Sequence, residues 1–431
     1  MEYISIIVLV VIFVSLMALG VPVAWSLGLS GFITLLVTVA TVPSATTIAQ
    51  RMGTGLDSFA LLAIPFFILA GEIMNKGGIA NRLINLAKAI TGKLPGGLLY
   101  VNVISAMLFG AIAGSAVAAA SAIGGILGPR MEKDGYPKEL GASVNITSST
   151  MGLIIPPSNI LIVYSLASGG VSIAALFIAG YIPGIFIGLL LMITAAIFIK
   201  KHNLPAGEVT SWKELGSKFF SALPSLMLLI IVIGGIVIGV FTATEASAIA
   251  VIYTLVLSFI YRELRVKDLP SILMKASETT SIVMLLIATS MSMSWVMSSE
   301  DIPQSISSAL LTLSDNKFVI LIMINLILLF VGLFMDMTPA VLIFTPIFLP
   351  VVTSLGIDPV HFGIIMVLNL CIGVCTPPVG SVLFIGVGVA KTTIAKVFLP
   401  LLPFFLVMVL GLIILTLWPQ MTLWLPSLFG L

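Results

Sequence analysis

The sequence predicts an all-α polytopic membrane protein built from two inverted repeats, each with a re-entrant hairpin and a helix broken at a Pro-Pro pair. Three observations support this fold class. The 431 residues are 59% apolar and 8% charged, and that charged fraction is about a third of the value usual in soluble domains. The basic residues occur in separate groups, and a pattern of glycines and prolines recurs in the two halves of the chain.

Long uncharged runs favour spanning helices over a β-barrel. A helix that crosses a bilayer needs about 20 mainly apolar residues. Runs such as YISIIVLVVIFVSLMALG (3–20) and LPLLPFFLVMVLGLIILTL (399–417) approach that length. The N-terminus carries Glu2 in place of a basic region, so we expect the first run to remain in the protein as a membrane helix.

Composition also disfavours several other classes of protein. Cys371 and Cys375 lie one helical turn apart in an apolar segment, which favours small packing residues over a disulfide or a metal site. The net charge of +2 is too small to indicate nucleic acid binding. His202 and His361 lie in or beside predicted loops without metal-ligand spacing, so we expect their side chains to be solvated.

The basic residues predict the orientation of the chain. Five groups contain all of them except Arg51 and Lys317: Lys76, Arg82, Lys88 and Lys93; Arg130, Lys133 and Lys138; Lys200, Lys201, Lys213 and Lys218; Arg262, Arg265, Lys267 and Lys275; Lys391 and Lys396. The positive-inside rule places all five groups in the cytoplasm, so an even number of crossings separates each group from the next. Counting the apolar runs outward from the first and last groups places both termini outside.

The first predicted repeat covers residues 1–199. Residues from about 95 to 131 begin and end near basic groups and are long enough for two short helices, so we expect a hairpin that enters and leaves on one side. The crossing from about 138 to 166 is broken at Pro156 and Pro157, because proline removes a backbone donor.

A cytoplasmic linker, 200–217, leads into the second predicted repeat, 218–431. That repeat has a hairpin at about 316–353 and a crossing at about 358–390, which is broken at the second Pro-Pro pair. The charge argument opens this hairpin to the outside and the first hairpin to the cytoplasm. The two repeats are therefore predicted to be inverted.

Residue spacing supports the repeat, because matching residues lie 221 or 222 positions apart. The matching pairs are Gly110 and Gly332, Pro137 and Pro359, Gly141 and Gly363, Gly152 and Gly373, Pro156 and Pro377, and Pro157 and Pro378. Inverted repeats with broken helices are typical of secondary transporters, whose sites lie near the midplane between the repeats.

Polar residues beside each break and at each hairpin tip predict one cation site per repeat. Unwound carbonyls with hydroxyl and amide oxygens are hard ligands, and helix N-termini offer partial positive charge to a carboxylate. The first site is predicted from Gly114, Ser115, Asn145, Ser148, Ser149 and Gly152, and the second from Asp336, Thr338, Thr376 and Gly380. The predicted substrate contacts are Ser115, Pro156, Pro157, Ser158, Pro377 and Pro378. Asp336 is the most informative residue, because carboxylates inside a membrane are rare and usually functional.

Structural alternatives stay open for these residues. Ser and Thr hydroxyls in membrane helices commonly bond to backbone or to a neighbouring helix. Glu72 lies near the cytoplasmic end of its predicted helix, which favours a carboxylate that reaches the interface. An ion channel is a second functional class, since midplane carbonyls can also form a filter. An intramembrane enzyme is disfavoured, because no Ser-His pair, zinc motif or catalytic Asp pair occurs in the sequence.

One long segment resembles a known family. GLFMDMTPAVLIFTPIFLPVVTSLGIDPVHFGIIMVLNLCIGVCTPPVG (332–380), together with AIPFFILAGEIM, GYPKELGAS and IIPPS, resembles the large membrane subunit of tripartite ATP-independent periplasmic (TRAP) transporters, the DctM-like family. The resemblance implies a sodium-coupled importer of organic acids in the bacterial inner membrane. With one cation site predicted in each repeat, we expect at least two sodium ions. As partners, the resemblance implies a small four-helix membrane subunit and a periplasmic substrate-binding protein. A symporter that needs no binding protein is the alternative.

The resemblance also implies elevator-type architecture, in which hairpins and broken helices slide against a scaffold of 1–60, 170–262 and 393–418. One departure concerns the first hairpin tip. The family often has Gly-Ser-Ser-Ala-Ala-Asp there, whereas Ala116 and Ala119 replace the second Ser and the Asp. Both a C4-dicarboxylate and a larger sugar acid such as sialic acid are therefore candidate substrates.

Overall fold

The computed structural model describes residues 2–206, 211–314, 316–377 and 380–431, with side chains for all of these except residues 2, 3 and 112. Within these ranges the regular structure is entirely helical, which confirms the all-α class. Seven helical stretches of 18 residues or more are apolar enough to cross a membrane in the described part of the chain.

The helices of the first half are bounded as follows: α1 Glu2–Ala18, α2 Val23–Thr38, α3 Thr41–Leu56, α4 Ala63–Lys76, α5 Ile79–Thr91, α6 Gly97–Ala113, α7 Ala116–Lys133, α8 Lys138–Met151, α9 Asn159–Ala167 and α10 Ile173–His202. Those of the second half are α11 Trp212–Val237, α12 Ala243–Ile260, α13 Leu269–Ser299, α14 Ile302–Leu313, α15 Lys317–Gly332, α16 Met337–Ser354, α17 Pro359–Gly373, α18 Ser381–Val389, α19 Ile394–Leu417 and α20 Gln420–Leu428. Helices α6 and α7 form the first hairpin and α15 and α16 the second, while α8–α9 and α17–α18 are the two broken helices.

One pair of glycines brings each hairpin into close contact with its broken helix. A Cβ added at Gly152 would lie 2.4 Å from the Cα of Gly110, and one added at Gly373 would lie 2.6 Å from the Cα of Gly332. Any side chain would separate the helices at these points. The matched contacts show that the spacing of the repeat reflects equivalent structure.

The broken helices show that the repeats are inverted. The thiol of Cys371 lies 3.3 Å from the carbonyl oxygen of Thr150, and the thiol of Cys375 lies 3.5 Å from that of Ile146. Residue numbers rise along α17 as they fall along α8, so these two equivalent helices run antiparallel. Both cysteines are free and buried, as expected for packing residues.

The helices form an outer layer and an inner bundle. The outer layer consists of α1–α4 and α11–α13, in which α2 packs on α13 and α4 on α12. The inner bundle consists of the hairpins, the broken helices, α10, α19 and α20. Helices α5 and α14 contact members of both groups.

The scaffold implied by the resemblance includes α10 and α19 and leaves out α4 and α13, so it differs from the outer layer at these four helices. Helices α10 and α19 pack mainly on the inner bundle, including the broken helices, although α10 also contacts α11 of the outer layer. The stripe Gly180, Gly184 and Gly188 explains this for α10, because added Cβ atoms would collide with Ile154, Ile155 and Met107 of the inner bundle. Hydropathy alone carries no information about which neighbour a uniformly apolar helix contacts.

The prediction of a solvated His361 was wrong. Its side chain is 1% exposed, and its Nδ1 lies 2.7 Å from the Thr422 hydroxyl. Thr422 belongs to α20, a short helix that packs against α10 and α17. A short helix after the last apolar run has no strong hydropathy signal. Neither α20 nor the burial of His361 under it was therefore predicted.

Two hydrogen bonds bring three of the five basic groups to one end of the fold. Gly96 N–H donates to the Pro205 carbonyl at 2.9 Å, and Lys76 Nζ donates to the Ser271 hydroxyl at 2.7 Å. At the other end, Ser5 and Thr38 donate to the carboxylate of Glu300. The positive-inside rule predicts that this basic end faces the cytoplasm, and that orientation stays a prediction.

Orientation can be tested with single cysteines at two exposed positions, Lys213 near the basic end and Thr312 at the end of α14. We expect a cysteine at 312 to react with a membrane-impermeant thiol reagent in intact spheroplasts, and one at 213 only after lysis. The unsubstituted chain is the control, since burial protects Cys371 and Cys375 from the reagent. Labelling in the reverse order would invert the proposed topology.

Candidate functional site

A cavity of about 600 Å³ separates the outer layer from the tips of both hairpins. Its outer wall is formed by α4 and α13. Its inner wall is formed by the two hairpin tips and by the points where the second halves of the broken helices begin. The polar residues that line it are Glu72, Asn75, Ser115, Ser121, Asn159, Lys275, Thr279, Asp336, Thr338 and Ser381.

The first hairpin tip is a tight reversal between α6 and α7. Gly114 ends α6 with φ +60°, a left-handed conformation that other residues rarely adopt, and Ser115 caps α7 by accepting from the Ala118 N–H at 3.2 Å. A Cβ added at Gly114 would lie 2.6 Å from Nδ2 of Asn159. Glycine therefore allows the tip to lie directly against the first broken helix.

The second tip places a carboxylate at the cavity. Asp336 precedes the first turn of α16, and its Oδ1 accepts a long hydrogen bond of 3.4 Å from the hydroxyl of Ser381, the first residue of α18. The Asp336 side chain is exposed into the cavity. Gly380 is buried beside Ser381, and its N–H donates to the Thr376 carbonyl at 3.1 Å.

Four helices begin at this cavity: α7, α9, α16 and α18. The first backbone N–H groups of a helix lack intrahelical acceptors, and the helix dipole adds partial positive charge at the same end. Four converging N-termini therefore make the inner wall attractive to an anion. Asp336 supplies negative charge in the same region, so a cation and an anion can be held close together.

The structure divides the predicted cation ligands between two places. Gly114, Ser115, Asp336 and Thr338 line the cavity, and Gly380 adjoins it. Thr376 does not line the cavity, and its hydroxyl donates to the Ile372 carbonyl at 2.7 Å. The sodium assignment stays a prediction for these residues.

The other predicted ligands lie in a buried cluster inside the bundle. Asn145 donates to the Ala120 carbonyl at 2.8 Å, Ser148 donates to Oδ1 of Asn102 at 3.0 Å, and Ser149 donates to the Asn145 carbonyl at 2.6 Å. Gly152 is occupied by its contact with Gly110. Asn145 lines a second, smaller cavity of about 220 Å³. In this conformation the side chains of Asn145, Ser148 and Ser149 therefore hydrogen-bond to the backbone and to neighbouring helices.

The predicted substrate contacts are also divided between the cavity and other places, and their role stays a prediction. Among the described residues, Ser115 lines the main cavity, whereas Pro156, Pro157, Ser158 and Pro377 do not. Ser158 is buried and donates to the Leu153 carbonyl. Pro156, Pro157 and Pro377 lie in the non-helical segments between the halves of the broken helices, and residues at the start of the second halves, such as Asn159, form the wall. Pro378 lies outside the described residues.

An ion pair in the outer wall was missed by the sequence reasoning. Nζ of Lys275 on α13 lies 3.0 Å from Oε2 of Glu72 on α4, and both residues line the cavity. The two residues lie far apart in the sequence. The sequence reasoning explained Glu72 as an interfacial carboxylate and Lys275 as part of a cytoplasmic basic group, so it did not pair them. The one available signal was the position of Glu72 inside an otherwise apolar helix.

Comparison with known proteins gives a consistent result. Residues 10–421 match the family model described as Tripartite ATP-independent periplasmic transporter, DctM component. YgiK of Salmonella typhimurium is 54% identical, and the match covers 100% of this chain and 99% of that protein. The 2,3-diketo-L-gulonate TRAP transporter large permease protein YiaN of Escherichia coli is 41% identical, covering 87% of this chain and 88% of YiaN.

Further relatives with 37% to 41% identity are named as C4-dicarboxylate, isethionate and sialic acid TRAP transporter proteins. Among solved structures, the YdaH transporter of Alcanivorax borkumensis has a similar fold. The TM-score is 0.67 at 14% identity, and the match covers 96% of this chain and 98% of YdaH.

Proposed function

Because this chain belongs to the DctM family of tripartite ATP-independent periplasmic transporter components, we propose that it is a sodium-coupled permease for an organic acid anion. Membership of this family, together with its apolar helices, identifies the chain as a multi-pass membrane transport protein. The observation that carries the finer proposal is the cavity that both hairpin tips share with the outer layer.

The substrate class follows from the charge and size of this cavity. Its volume of about 600 Å³ lies within the range of about 300 to 1,000 Å³ typical of small-molecule sites. Four helix N-termini and Lys275 favour an anion. The acids named for these relatives differ in size, and each carries at least one carboxylate group. We therefore propose a small organic acid whose acid group faces the hairpin tips.

Sodium coupling is proposed from the oxygen ligands that accompany those N-termini. The Asp336 carboxylate, the Ser381 and Thr338 hydroxyls and nearby backbone carbonyls are hard donors of the kind that hold small cations. A sodium ion bound there would offset the charge of Asp336 and make the cavity more favourable for an anion. Transport of the two ions together would follow from that mutual attraction.

An elevator movement is proposed from the two-part architecture. The cavity lies between the inner bundle and the outer layer, so sliding one against the other would carry its contents along the membrane normal. The cavity reaches Asn75 and Lys275 at the basic end, which supports an inward-facing arrangement. We propose both termini in the periplasm from the distribution of basic residues.

The proposed partners are a small membrane subunit and a periplasmic substrate-binding protein. The family name describes a tripartite system. The isethionate relative, named DctMQ, extends beyond the match, which covers 92% of this chain and 63% of that protein. A fused partner of this kind supports a separate membrane subunit for this chain.

Uptake into proteoliposomes tests the proposal. The purified chain, with its small subunit, would be assayed with radiolabelled succinate, N-acetylneuraminate and 2,3-diketo-L-gulonate, each with and without its binding protein and an inward sodium gradient. We expect uptake of at least one acid, which requires the gradient and the binding protein.

Each control excludes one alternative. An inward potassium gradient of equal size should not replace sodium, and uptake without the binding protein would instead indicate a self-sufficient symporter. Currents that continue without bound substrate would favour an ion channel. Absence of uptake for all three acids under every condition would contradict the proposed substrate class.

A further inference from the structure

The ion pair between Lys275 and Glu72 has an unusual position for a structural contact. It joins α13 to α4 and lies on the cavity wall that faces the hairpin tips. The Lys275 side chain is 57% exposed, whereas that of Glu72 is 16% exposed. An ion pair with one exposed partner contributes little to stability, so stability alone does not explain why two charges line this cavity.

Lys275 is the one cationic side chain among the described residues that line the cavity. Its ammonium group is compact and lies at the end of a flexible stem, so it can move between acceptors at low cost. Glu72 on the outer wall and Asp336 on the inner wall are the two carboxylates among the described residues that line the cavity. An anion entering the cavity therefore meets one mobile cation, which is already held by a carboxylate.

The pair is also close to the first hairpin tip. Gly71, the residue before Glu72, packs so tightly on the tip that an added Cβ would lie 3.0 Å from the Ala113 carbonyl oxygen. The tip continues through Gly114 and Ser115, which line the cavity. A substrate held by the tip would therefore lie in the cavity that Lys275 also lines.

Resting on the proposed function, we propose that Lys275 is a substrate-binding residue of the outer layer and that Glu72 is its internal competitor. In this conformation the acid group of the substrate replaces Glu72 as the partner of Lys275. When the substrate leaves, Glu72 pairs with Lys275 again, so the site is never left with an unpaired ammonium group. Glu72 would then promote release into the cytoplasm.

This proposal predicts opposite effects for the two members of the pair. Lys275→Gln should weaken equilibrium binding of the acid to the purified chain by about tenfold, the factor expected for one lost hydrogen bond between ions. Glu72→Gln should strengthen binding several-fold, because Lys275 is then free for the substrate. A purely structural ion pair predicts changes in the same direction for both.

The binding assay uses radiolabelled succinate, N-acetylneuraminate and 2,3-diketo-L-gulonate separately, in sodium, with the detergent-solubilised full-length chain. Lys275→Arg keeps the charge and should retain most of the affinity, which separates lost charge from misfolding. Lys76→Gln is the matched control, since Lys76 lies at the same end of α4, donates to Ser271 and does not line the cavity. It should bind like the unsubstituted chain.

The outcomes separate this inference from the proposed function. If the unsubstituted chain binds an acid, and the Lys275→Gln and Glu72→Gln variants both match it or both shift in one direction, the assignment of Lys275 is wrong and the proposed function stands. If the unsubstituted chain binds none of the acids, the proposed substrate class fails, and the assignment fails with it.

Discussion

Asp336→Asn should raise the sodium concentration needed for half-maximal uptake by about tenfold or more, while the protein remains folded. The substitution keeps the volume and one oxygen of the side chain but removes the negative charge that faces the cavity. A hard cation loses an anionic ligand, and the loss of one ionic hydrogen bond or contact corresponds to at least about tenfold in affinity. Sodium titration of uptake in proteoliposomes measures this change.

Two comparisons make the result specific. Asp134→Asn removes a carboxylate from the other end of the first hairpin, where it is exposed and away from the cavity, and should leave the sodium dependence unchanged. Ser381→Ala removes the hydroxyl that bonds to Asp336 and should have a smaller effect than the loss of the carboxylate. An unchanged sodium titration for Asp336→Asn would show that sodium binds elsewhere.

A disulfide between the outer layer and the first hairpin should stop uptake almost completely. The double substitution Gly71→Cys and Ala113→Cys joins α4 to the tip, because an added Cβ at 71 lies 3.2 Å from the Ala113 Cα. If the inner bundle slides against the outer layer, this link holds it in one position. Uptake should fall to the level of empty liposomes after oxidation and return after reduction.

The matched control links two helices of the same layer. An added Cβ at Gly28 on α2 lies 3.7 Å from the Cβ of Thr289 on α13, a separation typical of disulfides. Gly28→Cys with Thr289→Cys should therefore form readily and leave uptake intact. The native cysteines are buried and do not interfere. If an efficiently formed link between 71 and 113 left uptake at full rate, a gated pore with fixed hairpins would replace the elevator.

The hairpins and broken helices could be predicted because their signals are local. Proline lacks an N–H group and glycine allows a left-handed conformation, so Pro156 and Gly114 act on their own backbone whatever surrounds them. The same holds for Asp336, since a carboxylate within an apolar stretch is unusual in any tertiary context. These features indicated the fold class and one wall of the cavity.

Contacts between distant helices could not be predicted in this way. Asn145 and Ser148 have the right chemistry for ligands, but in the fold their side chains face Asn102 and Ala120 in the bundle. In the sequence, Glu72 has the features of an interfacial carboxylate. In the structure, Lys275 of α13 lies within ion-pair distance of it. His361 was buried by α20, which follows the last predicted span.

The sequence by itself determined that the chain crosses a membrane as helices, that its two halves repeat, and where each half is interrupted. Hydropathy, charge and proline content carry this information because each acts through a residue's own solvation or backbone. The tertiary structure alone decided which polar groups share a cavity and which bond to one another. A membrane helix is apolar on nearly every face, so its sequence does not specify its neighbours, and only packing brings Glu72, Lys275 and both hairpin tips together.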